Sequence, residues 1–396
     1  MKPLSWIGPL NAENGYGQAT IGYLCGLLKA GIDLRIFNSD PKRICPDIIA
    51  EINDKSVKEG TDPKSDTMVF HMDANVLVQF SDILIQNRSR GIKNVSYMTF
   101  ETDSVPSHWA RILNDMDVII VPSEANKLAF AKGRVNMNKI RVLPHIVSPI
   151  SISKEKINIP NKKSFSFVSI FDFTPKKGWM DLLTAYWREF RAAEDISLIL
   201  KIFPSKYGYN EKAYEIITKR LLDHKKGLGL MDIPLAIYLK PFYSSGQMES
   251  LWDNSQVFVL PTRGEGFGLT IAEAALHKKP IIATDYSGHI DYLPEGSFYP
   301  IKSNWQIMDD VEMALTGGMH YINQNMRYCD TEDLRKKMRQ AYEDFKNNKI
   351  KQDEMVNKAY NSVLEKCNEK IVADKLIEIL ELNKEPTKSG KKRLIY

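Results

Sequence analysis

Cysteine is scarce in this chain: Cys25, Cys45, Cys329 and Cys367 are the only four among 396 residues, and none stands at a metal-ligand spacing. Such scatter argues against a zinc site and for a reducing compartment, so the expected location is cytoplasmic. Long apolar runs are missing too. No stretch approaches the roughly 20 residues that a membrane helix needs. The apolar start Leu4-Ser-Trp-Ile7 gives way to Gly8 and Asn11, which is too short a run for a signal peptide. No Asp-x-Asp pair stands in a loop suited to a divalent ion, so neither an essential metal nor an organic cofactor is expected. Charge of one sign is not in great excess. The balance of 54 Lys and Arg against 49 Asp and Glu gives +5, which reads as ordinary surface solvation. It leaves room for an anionic ligand or for peripheral contact with the inner face of a membrane, and it does not mark a nucleic-acid binder. Low-complexity segments are absent, as are repeats beyond two similar halves.

What is present is a soluble-type composition, 43% hydrophobic and 26% charged, in a chain long enough for two cores. Apolar strands alternate with helical spacing. Strands are expected at Leu4–Ile7, Ile32–Phe37, Thr67–Met72, Asn94–Phe100, Asp117–Pro122 and Ile140–Leu143. Helices are expected over Gln18–Lys29, Val105–Met116 and Ser123–Lys132, the last with Ser123 as N-cap. A second series of strands starts at Ser164–Ile170 and continues at Ile196–Phe203, Ala236–Leu239, Gln256–Leu260, Pro280–Thr284 and Ser297–Pro300. Beyond Thr331 the chain reads as helical and highly charged. Alternation of this kind predicts an α/β fold with two Rossmann-like, doubly wound parallel sheets. The lysine-rich stretch Ser148–Ser164, with Pro149 and Pro160, reads as a linker between a first domain, 1–150, and a second, 151–370.

The most informative stretch is Gln256-Val-Phe-Val-Leu-Pro-Thr-Arg-Gly-Glu-Gly-Phe-Gly-Leu-Thr-Ile-Ala-Glu-Ala-Ala-Leu-His277. A strand ends at Pro261, a glycine-rich loop carries Glu265, and a helix starting near Gly268 carries Glu273. Strand, glycine loop and helix bring an anionic ligand to a sheet edge, where the positive end of the helix welcomes it. Gly264, Gly266 and Gly268 let backbone N–H groups approach such a ligand closely. Two acids in a place that favours anions need a reason, and sugar or ribose hydroxyls supply one.

Glu265 and Glu273 are separated by seven residues in the context R-G-E-G-F-G-L-T-I-A-E-A, followed by the strand and turn P-I-I-A-T-D-Y-S-G. This resembles the E-x7-E signature of retaining, nucleotide-sugar-dependent glycosyltransferases of group 1, which have the GT-B fold. The resemblance implies a nucleoside diphosphate sugar as donor, with Glu265 at the transferred sugar and Glu273 at the ribose. It also implies that the amides of Gly266, Phe267, Gly268 and Leu269 face the sugar and diphosphate. In that family the last helix commonly crosses back to the first domain, and the apolar run within 371–396 suits that role.

Other residues fit the same picture less specifically. Gly15-Tyr-Gly17 follows the first strand. Taken alone it is a degraded dinucleotide fingerprint with Thr20 at the third glycine position, and no acid ends the second strand, where Phe37-Asn38-Ser39 stand. The resemblance gives this loop the donor diphosphate instead. Lys176 and Lys177 follow the first strand of the second domain, and a leaving diphosphate needs a cation there. The family usually adds an Arg about five residues earlier; here Asp172 stands in its place. Glu101, in Phe100-Glu-Thr-Asp103, takes a strand end where many relatives have a histidine. It resembles a subgroup reading F-E-T-D, a helix with Trp (Trp109) and then V-P-S (Val121-Pro-Ser123). Glu101 is a candidate to orient or deprotonate an acceptor hydroxyl, and equally a candidate cap for the helix near Ser107. His71 also ends a strand and is a second acceptor-side candidate, against the reading of a satisfied buried histidine. His108, His145, His277 and His289 read as structural. Lys240-Pro-Phe-Tyr243 lies where donor-base recognition is expected.

These residues imply a glycosyltransferase that moves a hexose to a hydroxyl of a glycan, lipid or protein-linked sugar. Two alternatives stay open at this point: a nucleotide-sugar epimerase of the same fold, and a catalytically silent nucleotide-sugar-binding subunit.

Overall fold

The computed structural model describes residues 3–11, 15–39, 52, 65–149, 152–204, 207–208, 210–239, 243–308, 321 and 324–382. Two six-stranded sheets organise them. The first contains β1 (Leu4–Gly8), β2 (Leu34–Asn38), β3 (Thr67–His71), β4 (Lys93–Tyr97), β5 (Val118–Val121) and β6 (Ile140–Val142). The second contains β7 (Phe165–Asp172), β8 (Ile196–Phe203), β9 (Leu235–Leu239), β10 (Val257–Leu260), β11 (Ile281–Thr284) and β12 (Tyr299–Ile301). All neighbouring strands in both sheets run parallel. Their sequences explain why. Val118-Ile-Ile-Val121 and Val257-Phe-Val-Leu260 are buried at every position, the continuous apolar pattern of a strand covered by helices on both faces.

The strand orders are β2-β1-β3-β4-β5-β6 and β12-β11-β10-β7-β8-β9. Each order reverses once, between β1 and β3 in the first sheet and between β7 and β10 in the second. Ligands of open α/β sheets sit in the crevice at such reversals, outside the carboxyl ends of the strands. The crevice of the second sheet therefore falls between the chain leaving β7, with Lys176 and Lys177, and the chain leaving β10, with Glu265. In the first sheet it falls between Gly15 and His71.

Helices flank both sheets. Those that bear on the site are α1 (Gly15–Lys29), α2 (Trp109–Asn114), α3 (Glu124–Lys132), α4 (Trp179–Glu189), α5 (Leu269–Leu276) and α6 (Glu369–Leu380). Ser123 caps α3 by accepting from Asn126 N. Helix α6 puts Val372, Leu376, Ile377 and Leu380 into the core of the first sheet, beside Tyr23, Leu24 and Leu27 of α1. A Cβ added at Gly26 would stand 3.1 Å from the Cβ of Ala373, so α1 and α6 pack at close range. No helix among the described residues is long and apolar enough to cross a membrane.

Three differences from the sequence reading have physical causes. The helix expected over Val105–Met116 is confined to α2, after Pro106 and a turn. Gly15-Tyr-Gly17 forms the first turn of α1 instead of a separate loop. The third is an antiparallel hairpin, β13 (Ser303–Ile307) and β14 (Asn325–Cys329), with Trp305 opposite Arg327. Four of the five residues of β13 are exposed, so it lacks the apolar run that marks the other strands.

Candidate active site

Glu265 sits where β10 gives way to α5, in a loop stitched to its neighbours. The Ser287 hydroxyl accepts from Glu265 N at 2.6 Å and donates to Glu265 O at 2.5 Å. Gly288 N also donates to Glu265 O, at 3.1 Å. The side chain is 8% exposed and equally constrained. Its Oε1 accepts from Lys177 Nζ at 2.5 Å and from Thr262 Oγ1 at 2.9 Å. The lysine arrives in place because Arg263 N donates to Lys176 O at 2.7 Å, lacing the two loops together. Loop, lysine and carboxylate thus form one preorganised unit at the reversal point of the second sheet.

Glu101 is built differently. Its Oε1 accepts from Lys176 Nζ at 2.7 Å and its Oε2 from the Tyr321 hydroxyl at 2.9 Å. Tyr321 stacks on Phe100 at 5.3 Å between ring centroids. Burial alone would raise the Glu101 pKa, but Lys176 and the Tyr321 hydroxyl outweigh it and hold the carboxyl below its ordinary value. Burial likewise works against the Lys176 charge, and Glu101 reverses that, holding the ammonium well above the usual range. The carboxylate has no part in capping α2, whose N-cap receives no side-chain hydrogen bond.

The two halves meet at this point. A Cβ on Gly264 would lie 2.1 Å from Glu101 O, and one on Gly266 would lie 1.5 Å from Thr99 Oγ1. Only glycine admits such contact. Gly266 O accepts from Ser123 Oγ at 2.8 Å and from Asn126 Nδ2 at 3.2 Å. Asn126 Oδ1 accepts from Phe100 N at 2.8 Å, so one amide side chain fixes both loops.

Gly15 opens α1 facing this wall, and a Cβ there would be 3.7 Å from Leu269 Cδ1. The amino ends of α1 and α5 therefore converge, and with them the positive dipole ends of both helices. Gly17 faces elsewhere, since a Cβ on it would overlap Asn11 O at 1.7 Å. Gly268, at φ +88°, is the N-cap of α5. The Phe267 ring is wedged between His145 at 4.9 Å and Tyr292 at 4.8 Å, which anchors the loop.

Glu273, on α5, contrasts with Glu265. Its carboxylate makes no hydrogen bond among the described residues, and burial, followed by the charge of Glu249, pushes its pKa up to about 7. His71 is 1% exposed, bonds Thr20 Oγ1 through Nδ1 at 2.9 Å and packs on Tyr97 at 4.5 Å. Burial, and next His145, hold its pKa well below the usual value, so it is neutral. His289 is equally buried, with Nε2 at 2.7 Å from Thr284 O. Of the expected base-binding stretch, Lys240, Pro241 and Phe242 lie outside the described residues. Tyr243 carries the Lys201 ammonium 4.6 Å from its ring centroid, and burial lowers that lysine to about 8.

Tyr321, Thr262, Ser287 and Asn126 are the members of this site that sequence reasoning missed. Thr262 and Ser287 lie inside the quoted motif and its following turn, so a hydroxyl there was a usable signal. Tyr321 has none, being far from Glu101 in sequence and joined to it only by the fold.

Known proteins share parts of this arrangement. Residues 163–314 match the family model described as Glycosyl transferases group 1. Over 138 residues the chain is 27% identical to the serotype-specific mannosyltransferase WbdA of Escherichia coli, covering 34% of this chain and 15% of that protein. Over 99 residues it is 36% identical to the capsular polysaccharide biosynthesis glycosyltransferase CapM of Staphylococcus aureus, covering 24% of this chain and 25% of that protein. The matches thus take in a quarter or less of these relatives' own lengths. Among solved structures, a glycosyltransferase from Rickettsia africae ESF-5 superimposes with a TM-score of 0.68 at 13% identity, covering 97% of this chain and 99% of that one. Anabaena Alr3699/HepE in complex with UDP-glucose gives 0.63 at 14% identity, covering 96% and 100%. At such identities the likeness is one of fold, and the fold is GT-B: two Rossmann-like sheets facing across a cleft.

Proposed function

We propose that this chain is a retaining glycosyltransferase that moves a hexose from a nucleoside diphosphate sugar to an acceptor hydroxyl without a divalent ion. The observation that carries the reading is the unit formed by Glu265, Lys177 and Thr262 at the amino end of α5, with the amino end of α1 directly across. A nucleoside diphosphate laid in that crevice would meet two helix N-termini and two ammonium groups. These are the groups needed to stabilise charge as the diphosphate leaves. Glu265 would accept hydroxyl hydrogen bonds from the transferred sugar, and Glu273, whose carboxylate has no hydrogen-bond partner among the described residues, would accept those of the ribose. Lys176 and Lys177 would take the place of a metal. Residues 1–150 would supply the acceptor side and 151–370 the donor side.

Glu101 would orient the acceptor hydroxyl. It follows β4 on the first-sheet side of the crevice, reaches across to Lys176 and Tyr321, and with its depressed pKa would remain an acceptor at neutral pH. His71 is removed from that role by its burial and its bond to Thr20. The same burial counts against the epimerase alternative, which would need a histidine at the sugar.

The test is a panel of UDP-, GDP-, ADP- and TDP-sugars, scored for release of nucleoside diphosphate with EDTA present and no acceptor. Release from at least one donor is expected, and its loss in Glu265→Ala. Conversion of the sugar without release would identify an epimerase. Absence of both, with the donor still bound, would identify a silent subunit.

A further inference from the structure

The hairpin that the strand pattern did not announce carries a built surface beside the donor crevice. Trp305 and Arg327 are directly opposed in the antiparallel register and so share one face with Ser303, Ile307 and Asn325. The indole is held from behind. Tyr286 meets it edge-on at 4.8 Å, and the Arg327 guanidinium lies 5.4 Å from its centroid and 5.5 Å from that of Tyr286. Arg327 is itself fixed, donating to Ser303 Oγ at 2.8 Å and pairing with Asp285 at 3.3 Å. Ser303 completes the ring by donating to Asp285. Trp305 nonetheless remains 41% exposed and Ile307 67%.

The position of this face matters as much as its make-up. Tyr286 adjoins Ser287, the residue that clasps both backbone groups of Glu265. At the other end Asn325 binds Asp103 of the first half, N to Oδ1 at 3.0 Å and Nδ2 to Oδ2 at 3.1 Å. The face therefore stands at the rim of the cleft, between the donor carboxylate and the first sheet.

We propose that Trp305, backed by Tyr286 and Arg327, is a subsite for a pyranose ring of a carbohydrate acceptor, an inference that rests on the transferase reading above. A pyranose ring has an apolar C–H face and a rim of hydroxyls. An immobilised indole supplies the flat apolar partner at low cost in conformational entropy, and the Asp285–Arg327 pair supplies a neutral polar rim. The one indole and one isoleucine exposed on this face among the described residues are too little apolar area for a protein partner, whose footprint runs to several hundred Å².

The experiment uses the full chain and a set of neutral oligosaccharides of mannose, glucose and N-acetylglucosamine, from two to six units long. The indole N–H resonance of Trp305, identified by its disappearance in Trp305→Phe, is expected to shift on titration with at least one of them. In transfer assays Trp305→Ala should raise the acceptor KM about tenfold, Trp305→Phe should recover most of the loss, and the donor KM should keep its wild-type value. Absence of any resonance shift across the set overturns the subsite, whatever the donor panel shows. An unchanged acceptor KM in Trp305→Ala overturns it while leaving the transferase reading intact. A self-association that Trp305→Ala abolishes also overturns it, by making the face a contact between copies of the chain.

Discussion

The loop leaving β10 and the turn leaving β4 end parallel strands in opposite halves, and each presents a carboxylate to one of two adjacent lysines. They differ in where their partners come from. Glu265 takes Lys177, Thr262 and Ser287 from its own half. Glu101 takes Lys176 and Tyr321 from the other half. The first arrangement exists whenever the second sheet is folded. The second exists only while the halves are closed on each other. Closing two such halves on each other expels water and strengthens every charge interaction across the cleft. On the proposed reading, the carboxylates are also the anions against which a diphosphate would compete for the two ammonium groups.

The sharpest way to break the comparison is to disturb the contact that holds the halves together. Gly266→Ala places a methyl 1.5 Å from Thr99 Oγ1 and 2.8 Å from Thr99 Cβ, so turning the hydroxyl away is not enough and the two loops must shift apart. Displacement of about 1 Å at a reacting centre can cost about 100-fold in rate, and that is the loss in kcat/KM expected for Gly266→Ala. The control is Gly227→Ala, at the end of a surface helix where a Cβ would meet nothing within 4 Å. It should leave rate and Tm close to wild type. Near-normal turnover in Gly266→Ala would show that the halves do not need this contact.

A smaller effect separates the two ion pairs. Removing one partner of a buried pair strands a charge, at a cost of about 3 kcal/mol, whereas removing both costs less than the sum. Lys176→Met and Glu101→Gln should therefore each destabilise the closed form, and the double variant should recover part of the loss. Chemical denaturation with the protein's own scattering profile as a second readout distinguishes opening from unfolding. The pH dependence follows from the sign of the shift. Glu101 has a depressed pKa in the folded state, so its contribution is present above the ordinary carboxylate value and is lost as pH falls through the lower folded value. Glu101→Gln should remove that acid limb. Full additivity of the two single variants would mean that Glu101 and Lys176 are not coupled, contrary to their 2.7 Å contact.

The same contrast explains what was legible beforehand. Strands such as Val118–Val121 and Val257–Leu260 announced themselves because burial on both faces demands an unbroken apolar run. The unit around Glu265 was legible because its parts are local: a strand end, glycines, and a helix start within one short stretch. Lys177 could be added because it follows the first strand of the second half, where a leaving diphosphate needs a cation. The partners of Glu101 were not legible. Tyr321 and Lys176 are remote from it in sequence, and only the docking of two sheets brings them within hydrogen-bond reach. Hence a cap for the helix near Ser107 looked nearly as good on paper as a contact with an acceptor hydroxyl. The hairpin escaped for a related reason, since Ser-Asn-Trp-Gln-Ile mixes polar and apolar residues, four of the five exposed, and offers no apolar run.

Glu273 gives the smallest effect and the finest test. It belongs to the same stretch as Glu265, yet it lacks a cation, and burial with Glu249 nearby brings its pKa up to about 7. Ribose hydroxyls donate to a carboxylate, so binding must favour the charged form and lower that pKa. The sign is then fixed: nucleoside diphosphate binding should release protons near pH 7, and affinity should rise with pH up to about 7 and level off above it. Calorimetry of binding in two buffers of different ionisation enthalpy measures the proton count directly. Glu273→Gln should weaken donor binding modestly, raising KM more than it lowers kcat, and should abolish the proton release. If the variant released as many protons as wild type, the linkage would belong to another group and Glu273 would not be the ribose carboxylate. Glu265, already held by a lysine and a threonine hydroxyl, would then be the one acid of the pair that serves the donor.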